Sequence, residues 1–303
     1  MPSFRFTVIR GLFRIGELVS PRLSGRLAFE LFCRTPNPQR LSTKERAVVE
    51  AAAPFMAAAR RHDLATRFGR FAAYEFRPAH GHAHWPRALV IHGWRSRTEH
   101  MRPIIQRLLE KGFRVVAVDL PGHGHSPGRR LHMANAVASV QAASQWLGPF
   151  DTIVGHSFGG TVAVNAVAGS IAGVPAIPTD RLVLLAAPSV MGEIFDNFAR
   201  FAGLGRRTRI HLDRQVERVA GKPLERYVGA EMLARIQVPT LVIHAPEDKE
   251  VPASNAGEYG AAGPHVRLQW VPGLGHRRII VDSEVAAVVA AYATERLEST
   301  AAA

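Results

Sequence analysis

Apolar residues in this chain fall into short unbroken runs beyond residue 70 and into helical spacing before it. The runs at 71–76, 88–92, 114–120, 152–155, 182–186, 240–244 and 266–271 have strand length and are built mostly of Val, Ile, Leu, Ala and Phe. A strand with one wet face alternates apolar and polar residues; these show little alternation, as expected of parallel strands covered on both faces. Helix-length patterns separate them and supply right-handed crossovers. The pattern therefore predicts an α/β protein with a doubly wound, mostly parallel sheet. One interval, 189–235, is too long for a single crossover helix.

The N-terminal pattern is different. Ile9, Leu12, Phe13, Ile15, Gly16 and Val19, then Leu23, Leu27, Leu31 and Phe32, recur at helical spacing around a break at Ser20-Pro21. Two short amphipathic helices fit. Residues 1–40 hold seven arginines against Glu17 and Glu30. Such a basic amphipathic segment suits an anionic membrane surface, or packs its apolar face on its own domain. Charged residues interrupt the apolar stretch and no small-residue cleavage site follows, so neither a signal peptide nor a spanning helix is predicted, and a cytoplasmic location is expected. Residues 1–70 are read as a basic helical segment, 71–188 and 236–303 as the sheet core, and 189–235 as an insertion.

Composition narrows the class. A chain of 303 residues with 47% hydrophobic and 21% charged residues suits a soluble globular protein. Its single cysteine, Cys33, rules out an internal disulfide framework and reads as a buried small hydrophobe. The formal charge of +13 favours polyanions. Its arginines are spread along the chain without a recognition helix, zinc finger or aromatic RNA-binding signature, so no nucleic-acid function is expected. His80, His82 and His84 alternate in one loop, but no carboxylate or cysteine there completes a metal site, and an exposed polar loop is expected.

Chemistry collects at the carboxyl ends of the predicted strands, where loops of open α/β sheets carry ligands. Gly155-His156-Ser157-Phe158-Gly159 joins a strand to a helix in a turn tight enough to strain the serine and expose its hydroxyl. The Phe158 N–H at the start of that helix, and the Trp94 N–H in His92-Gly93-Trp94, are candidate oxyanion donors. Asp119 opens a turn-rich loop and suits anchoring that loop by backbone hydrogen bonds better than serving as a catalytic acid. Glu247, Asp248 and Glu250 follow the strand at 240–244, and His276 stands in a glycine-flexed loop after the last strand. The order serine, acid, histidine is that of a nucleophile elbow. A serine hydroxyl is a poor nucleophile, so a histidine must take its proton, and a carboxylate must fix that histidine's tautomer.

With these motifs the chain resembles α/β-hydrolase fold enzymes from about Phe71 to Tyr292. The likeness rests on His92-Gly93-Trp94, Asp119 through Ser126, Gly155 through Gly160, His244 through Asp248 to Val251-Pro252, and Gly275-His276. It implies a triad of Ser157, Asp248 and His276, with Asp248 chosen over Glu247 and Glu250, and it makes 189–235 a small helical cap. It is similar to a bacterial esterase- or lysophospholipase-like branch whose substrates are mostly unassigned. Family members acting on haloalkanes or epoxides carry aspartate where Ser157 stands, and the carbon–carbon hydrolases carry glycines where Trp94-Arg95-Ser96-Arg97 stands. Hydrolysis of a carboxylic ester or thioester, small or lipid-like, is the activity implied, without metal or organic cofactor. An acyltransferase, or a ligand-binding protein of the same fold, is the alternative. Phe198 and Phe201 on the apolar cap face, with His156 in the elbow, are the candidate substrate contacts, and the cap arginines Arg200, Arg206, Arg207 and Arg209 are expected to attract an anionic substrate or interface.

Overall fold

The computed structural model describes residues 4–79 and 85–301; the His80, His82 and His84 loop therefore lies outside the described residues. The chain begins with helices α1 (Phe4–Val19), α2 (Pro21–Cys33) and α3 (Thr43–Ala57), followed by strands β1 (Arg60–Thr66), β2 (Gly69–Phe76) and β3 (Arg87–Ile91). Then come α4 (Arg102–Glu110), β4 (Arg114–Val118), α5 (Met133–Leu147), β5 (Phe150–His156), α6 (Phe158–Val167) and β6 (Thr179–Leu185). Helices α7 (Met191–Ala202), α8 (Arg206–Ala220) and α9 (Gly229–Ile236) fill the long interval before β7 (Thr240–His244). The fold closes with α10 (Ala253–Gly260), β8 (Val266–Trp270), α11 (Gly275–Arg278) and α12 (Ser283–Ala301).

The eight strands form one sheet in the order β1-β2-β4-β3-β5-β6-β7-β8, in which β1 and β2 are antiparallel and β3 through β8 are parallel. Leu89 at its centre faces Val116 on one side and Ile153 on the other. The sheet is buried on both faces: α4 and α12 cover one with Ile104, Leu108 and Val289, and α5 and α6 cover the other with Val137, Val140 and Val162. Burying such side chains contributes roughly 1.5–3 kcal/mol each, which holds the strand ends in register. The seven predicted strands are present, with ends that match or are shifted by up to three residues.

Strand β1 is an addition to that expectation. Its residues Arg60, Arg61, His62 and Asp63 lack the apolar signature because it is the sheet edge, where charge guards against unwanted pairing. The buried Glu75 on β2 is balanced by Arg77, Arg114 and His62, whose nitrogens lie 2.9, 2.6 and 3.1 Å from its carboxylate.

The N-terminal helices break at Ser20, whose hydroxyl accepts the Leu23 N–H at 3.4 Å, with Pro21 opening α2. Helix α2 lies along α8 so closely that a Cβ on Gly25 would sit 2.5 Å from His211 Cβ. Glu17 reaches from α1 to accept the Arg207 and Thr208 N–H groups at the start of α8, each at 2.9 Å. Of the two readings for residues 1–40, packing on the chain's own domain is what the inner faces of α1 and α2 do. Cys33 is fully buried, and burial pushes its thiol up to about 12.

Candidate active site

The strand-to-helix turn at β5–α6 is held by glycines on both sides of the serine. A Cβ on Gly155 would lie 2.5 Å from the Gly159 carbonyl oxygen, and one on Gly160 would lie 2.6 Å from Ala187 Cβ, so only glycine lets α6 cross this close to the sheet. Between them Ser157 has φ 53° and ψ −127°, a backbone region that costs a non-glycine residue on the order of 1–3 kcal/mol. The strain is fixed by Ser157 N–H donating to Leu185 O at 2.8 Å. Its effect is to lift the hydroxyl clear of the backbone.

His276, on α11, has Nε2 2.9 Å from Ser157 Oγ and Nδ1 2.8 Å from Asp248 Oδ2. Asp248 also accepts the Glu250 and Val251 N–H groups at 2.8 and 3.0 Å. Burial alone would raise its carboxyl; the hydrogen bonds from His276, Val251 and Glu250 outweigh burial and hold it below the usual carboxylate range. The structure separates the three neighbouring acids: Glu247 accepts the Gly275 N–H at 3.2 Å, Glu250 pairs with Arg277 at 2.8 Å, and Asp248 alone reaches His276 Nδ1.

A turn over Gly93-Trp94 presses against the serine; a Cβ on Gly93 would lie 2.9 Å from Ser157 Cβ. Within it, Arg95 N–H donates to His123 Nε2 at 3.0 Å and Ser96 N–H to Gly93 O at 3.2 Å. The Trp94 N–H comes immediately before these two committed donors in the chain. As the first residue of α6, Phe158 has an N–H without an intrahelical acceptor.

Several buried polar groups support this arrangement. His92 donates Nδ1–H to Gly93 O at 2.7 Å and accepts the Leu120 N–H on Nε2 at 3.0 Å; burial depresses the imidazole to about 4 and keeps it neutral. Asp119 accepts from Thr98 N–H and Oγ1 (2.9 Å each) and His125 N–H (2.8 Å), so it anchors its loop as its sequence context implies. His156 differs from expectation. It is buried, does not line the cavity, and donates Nε2–H to the His276 carbonyl at 2.9 Å. Burial, reinforced by neighbouring His276, holds its imidazole down at about 3. Its side chain is thus placed beneath the His276 backbone, away from the cavity lining.

Above the serine opens a cavity of about 740 Å³, within the range of small-molecule sites. Phe198 and Phe201 line it, together with Trp94, Ser157, Phe158 and His276. Residues not foreseen come from the N-terminal helices: Ile9, Phe29 and Phe32. Phe32 is a hub, its ring 4.2 Å from that of Phe195, 5.2 Å from Phe198 and 6.5 Å from Trp94. The only sequence signal for this was the apolar spacing of α2, which cannot name the partner it faces. The cap arginines stand elsewhere: Arg209 is held by Asp196 and Asp213 and Arg200 by Asn197, while the arginines of the cavity wall are Arg10, Arg34 and Arg95.

A family model described as "Alpha/beta hydrolase family" matches residues 88–291. Among curated proteins, a non-heme haloperoxidase from Rhodococcus erythropolis is 27% identical over 237 residues, 64% of this chain and 86% of that protein. A pimeloyl-[acyl-carrier protein] methyl ester esterase from Xanthomonas campestris is 27% identical over 229 residues, 64% of this chain and 88% of that protein. Among solved structures, the esterase domain of a Rhodothermus marinus protein superposes with a TM-score of 0.54 at 23% identity, covering 80% of this chain and 97% of that one. An esterase from Pyrococcus furiosus gives 0.57 at 20% identity, covering 78% and 92%. Esterase names thus recur on both sides of the comparison, in line with the carboxylic ester hydrolase expected from the motifs.

Proposed function

The chain belongs to the alpha/beta hydrolase family, and from that footing we propose that it is a serine hydrolase cleaving a carboxylic ester or thioester with a lipid-like acyl group. The observation that carries this reading is the unbroken hydrogen-bonded line from Ser157 Oγ through His276 to Asp248, at 2.9 and 2.8 Å, on the floor of an apolar cavity. In the first step His276 takes the Ser157 proton as the hydroxyl attacks the carbonyl carbon, and Asp248 steadies the imidazolium that forms. The oxyanion is received by the Trp94 and Phe158 N–H groups, the second aided by the positive end of α6. His276 then protonates the leaving oxygen or sulfur. Water, activated by the same histidine, attacks the acyl-enzyme and frees Ser157.

The cavity wall supports an apolar acyl group over a charged one, since aromatic and aliphatic side chains from α2, α7 and α8 form most of it. The named esterase relatives support an ester as the bond cleaved. No helix among the described residues is long and apolar enough to cross a membrane; residues 1–40 are read as a peripheral contact with an anionic lipid surface. A fluorophosphonate probe tests the mechanism: it should label the wild type and not Ser157→Ala, and ester turnover should fall by at least about a thousandfold in that variant. An unlabelled, inactive wild type would leave a ligand-binding protein of the same fold.

A further inference from the structure

Helices α1 and α2 are apolar on two sides, and only one side is used. Their inner faces seat Phe13, Ala28, Phe29 and Cys33 against the domain. On the outer side, Val8, Leu12, Ile15 and Val19 follow one another at spacings of four, three and four along α1, and Leu23, Leu27 and Leu31 at spacings of four along α2. All are exposed, Val19 at 79% and Leu12 at 63%, and Leu18 beside them on α1 stands at 83%. A patch of this make-up on an otherwise soluble protein marks a surface that meets something apolar.

Charge identifies the occupant. Arg14, Arg22 and Arg26 stand exposed on the same two helices and Arg34 just past the end of α2, and none of them makes a salt bridge among the described residues. The acids that could neutralise them are occupied: Glu17 is turned inward onto the start of α8, and Glu30 pairs with Arg130 at 2.8 Å. Leucines bordered by uncompensated arginines match an anionic bilayer, whose acyl region takes the leucines while its phosphates take the guanidinium groups. A second copy of the chain fits poorly, because a two-fold interface sets each patch against its own image and brings arginine rims together.

The same helices also wall the cavity. Leu31 belongs both to the outward stripe and to the lining, and Ile9 and Arg10 line it one step around α1 from the exposed leucines. We propose that the outer faces of α1 and α2 dock on an anionic phospholipid surface and that the α1–α2 pair places the cavity beside that surface, so that an ester substrate enters from the bilayer. The docking face stands on its own observations, whereas the substrate route rests on the serine hydrolase reading.

Sedimentation of the full chain carrying Ser157→Ala with vesicles tests docking without turnover, using phosphatidylcholine alone and phosphatidylcholine mixed with phosphatidylglycerol. Binding is expected to the mixed vesicles, to weaken as salt is raised, and to drop by about tenfold or more in Leu18→Glu/Leu23→Glu, whose residues lie outside the cavity wall. Arg22→Glu/Arg26→Glu should act in the same direction. On the Ser157 background, Leu18→Glu/Leu23→Glu should hydrolyse a soluble short ester like wild type but lose turnover of a vesicle-borne ester. Equal vesicle binding by wild type and both double variants, or none by wild type, overturns the proposal. So does a wild-type dimer that Leu18→Glu/Leu23→Glu dissolves while vesicles are ignored, since the occupant is then a second copy. Vesicle binding without hydrolysis of any ester removes the hydrolase reading and leaves the docking face intact.

Discussion

Glu17 is the point at which the N-terminal helices can be uncoupled from the rest of the molecule with one atom-sized change. Helix α8 is preceded at its N-cap by Gly205, which offers no side chain to cap it, and the Glu17 carboxylate on α1 takes that place by accepting the Arg207 and Thr208 N–H groups at 2.9 Å each. A lost cap costs about 0.5–2 kcal/mol, and a lost negative charge at a helix N-terminus about 0.3–1 kcal/mol. Because Glu17 is partly exposed, water will replace some of each, so Glu17→Ala should destabilise by about 1–2 kcal/mol in urea unfolding. Glu17→Gln keeps an acceptor oxygen and should cost about half of that. Burial works against the charged carboxyl, but the hydrogen bonds from Thr208 and Arg207 outweigh it and lower its value from 4.5. The stabilisation is therefore present above the unfolded value and is lost as pH falls through the lower folded value, so the gap between wild type and Glu17→Gln should close on acidification. Loosening α1 also shifts Ile9 and Arg10 in the cavity wall, so the preference among esters of graded chain length should broaden. Glu17→Ala within about 0.5 kcal/mol of wild type, the scatter of an ordinary surface change, with an unchanged chain-length profile would refute the coupling.

Two further outcomes follow from the buried histidines. His156→Phe removes the donor to the His276 carbonyl; steady-state kinetics should show kcat down by about ten- to a hundredfold, with KM changed far less, if that bond positions the base. Loss confined to stability would reduce His156 to a packing residue. His92, His132 and His156 are held neutral by burial, with values of about 4, 4 and 3. The unfolded chain takes up protons below about 6.5 while these groups do not, so stability should fall as pH drops from 6.5 toward 4, by up to about 1.4 kcal/mol per pH unit for each group. A flat denaturation midpoint over that interval would contradict it.

The parts of the fold legible in the sequence are those whose signal is local. Strands β3 to β7 are covered on both faces, so each announces itself as an apolar run regardless of its neighbours. Strand β1 does not, because an edge strand is chosen for what it repels as much as for what it packs against. The elbow is legible for the same local reason: Gly155, Gly159 and Gly160 are there because α6 crosses the sheet within contact of their missing side chains. Asp248 could be separated from Glu247 and Glu250 only by resemblance, since all three lie in one loop and their partners come from residues 275–277. His156 is a candidate contact by its place in the elbow, whereas its hydrogen bond to the His276 carbonyl joins residues 120 apart and leaves no local signal.

The second wall of the cavity was out of reach for a different reason, and it bears on what the relatives can say. The family match begins at residue 88, yet Phe32, whose ring touches those of Phe195 and Phe198, and Phe29 beside it belong to α2. The matched region thus contains the whole of the Ser157, His276 and Asp248 line and only part of the surface that would grip an acyl group. A relative that shares the line but lacks these helices would leave the cavity open on that side, with room for a different substrate over the same chemistry. Likeness in the matched region therefore speaks for the bond that is cleaved. Under the proposed reading, α1 and α2 would help select the group attached to it, and because the same helices turn a leucine stripe and uncompensated arginines outward, substrate choice and contact with a lipid surface would reside in one segment.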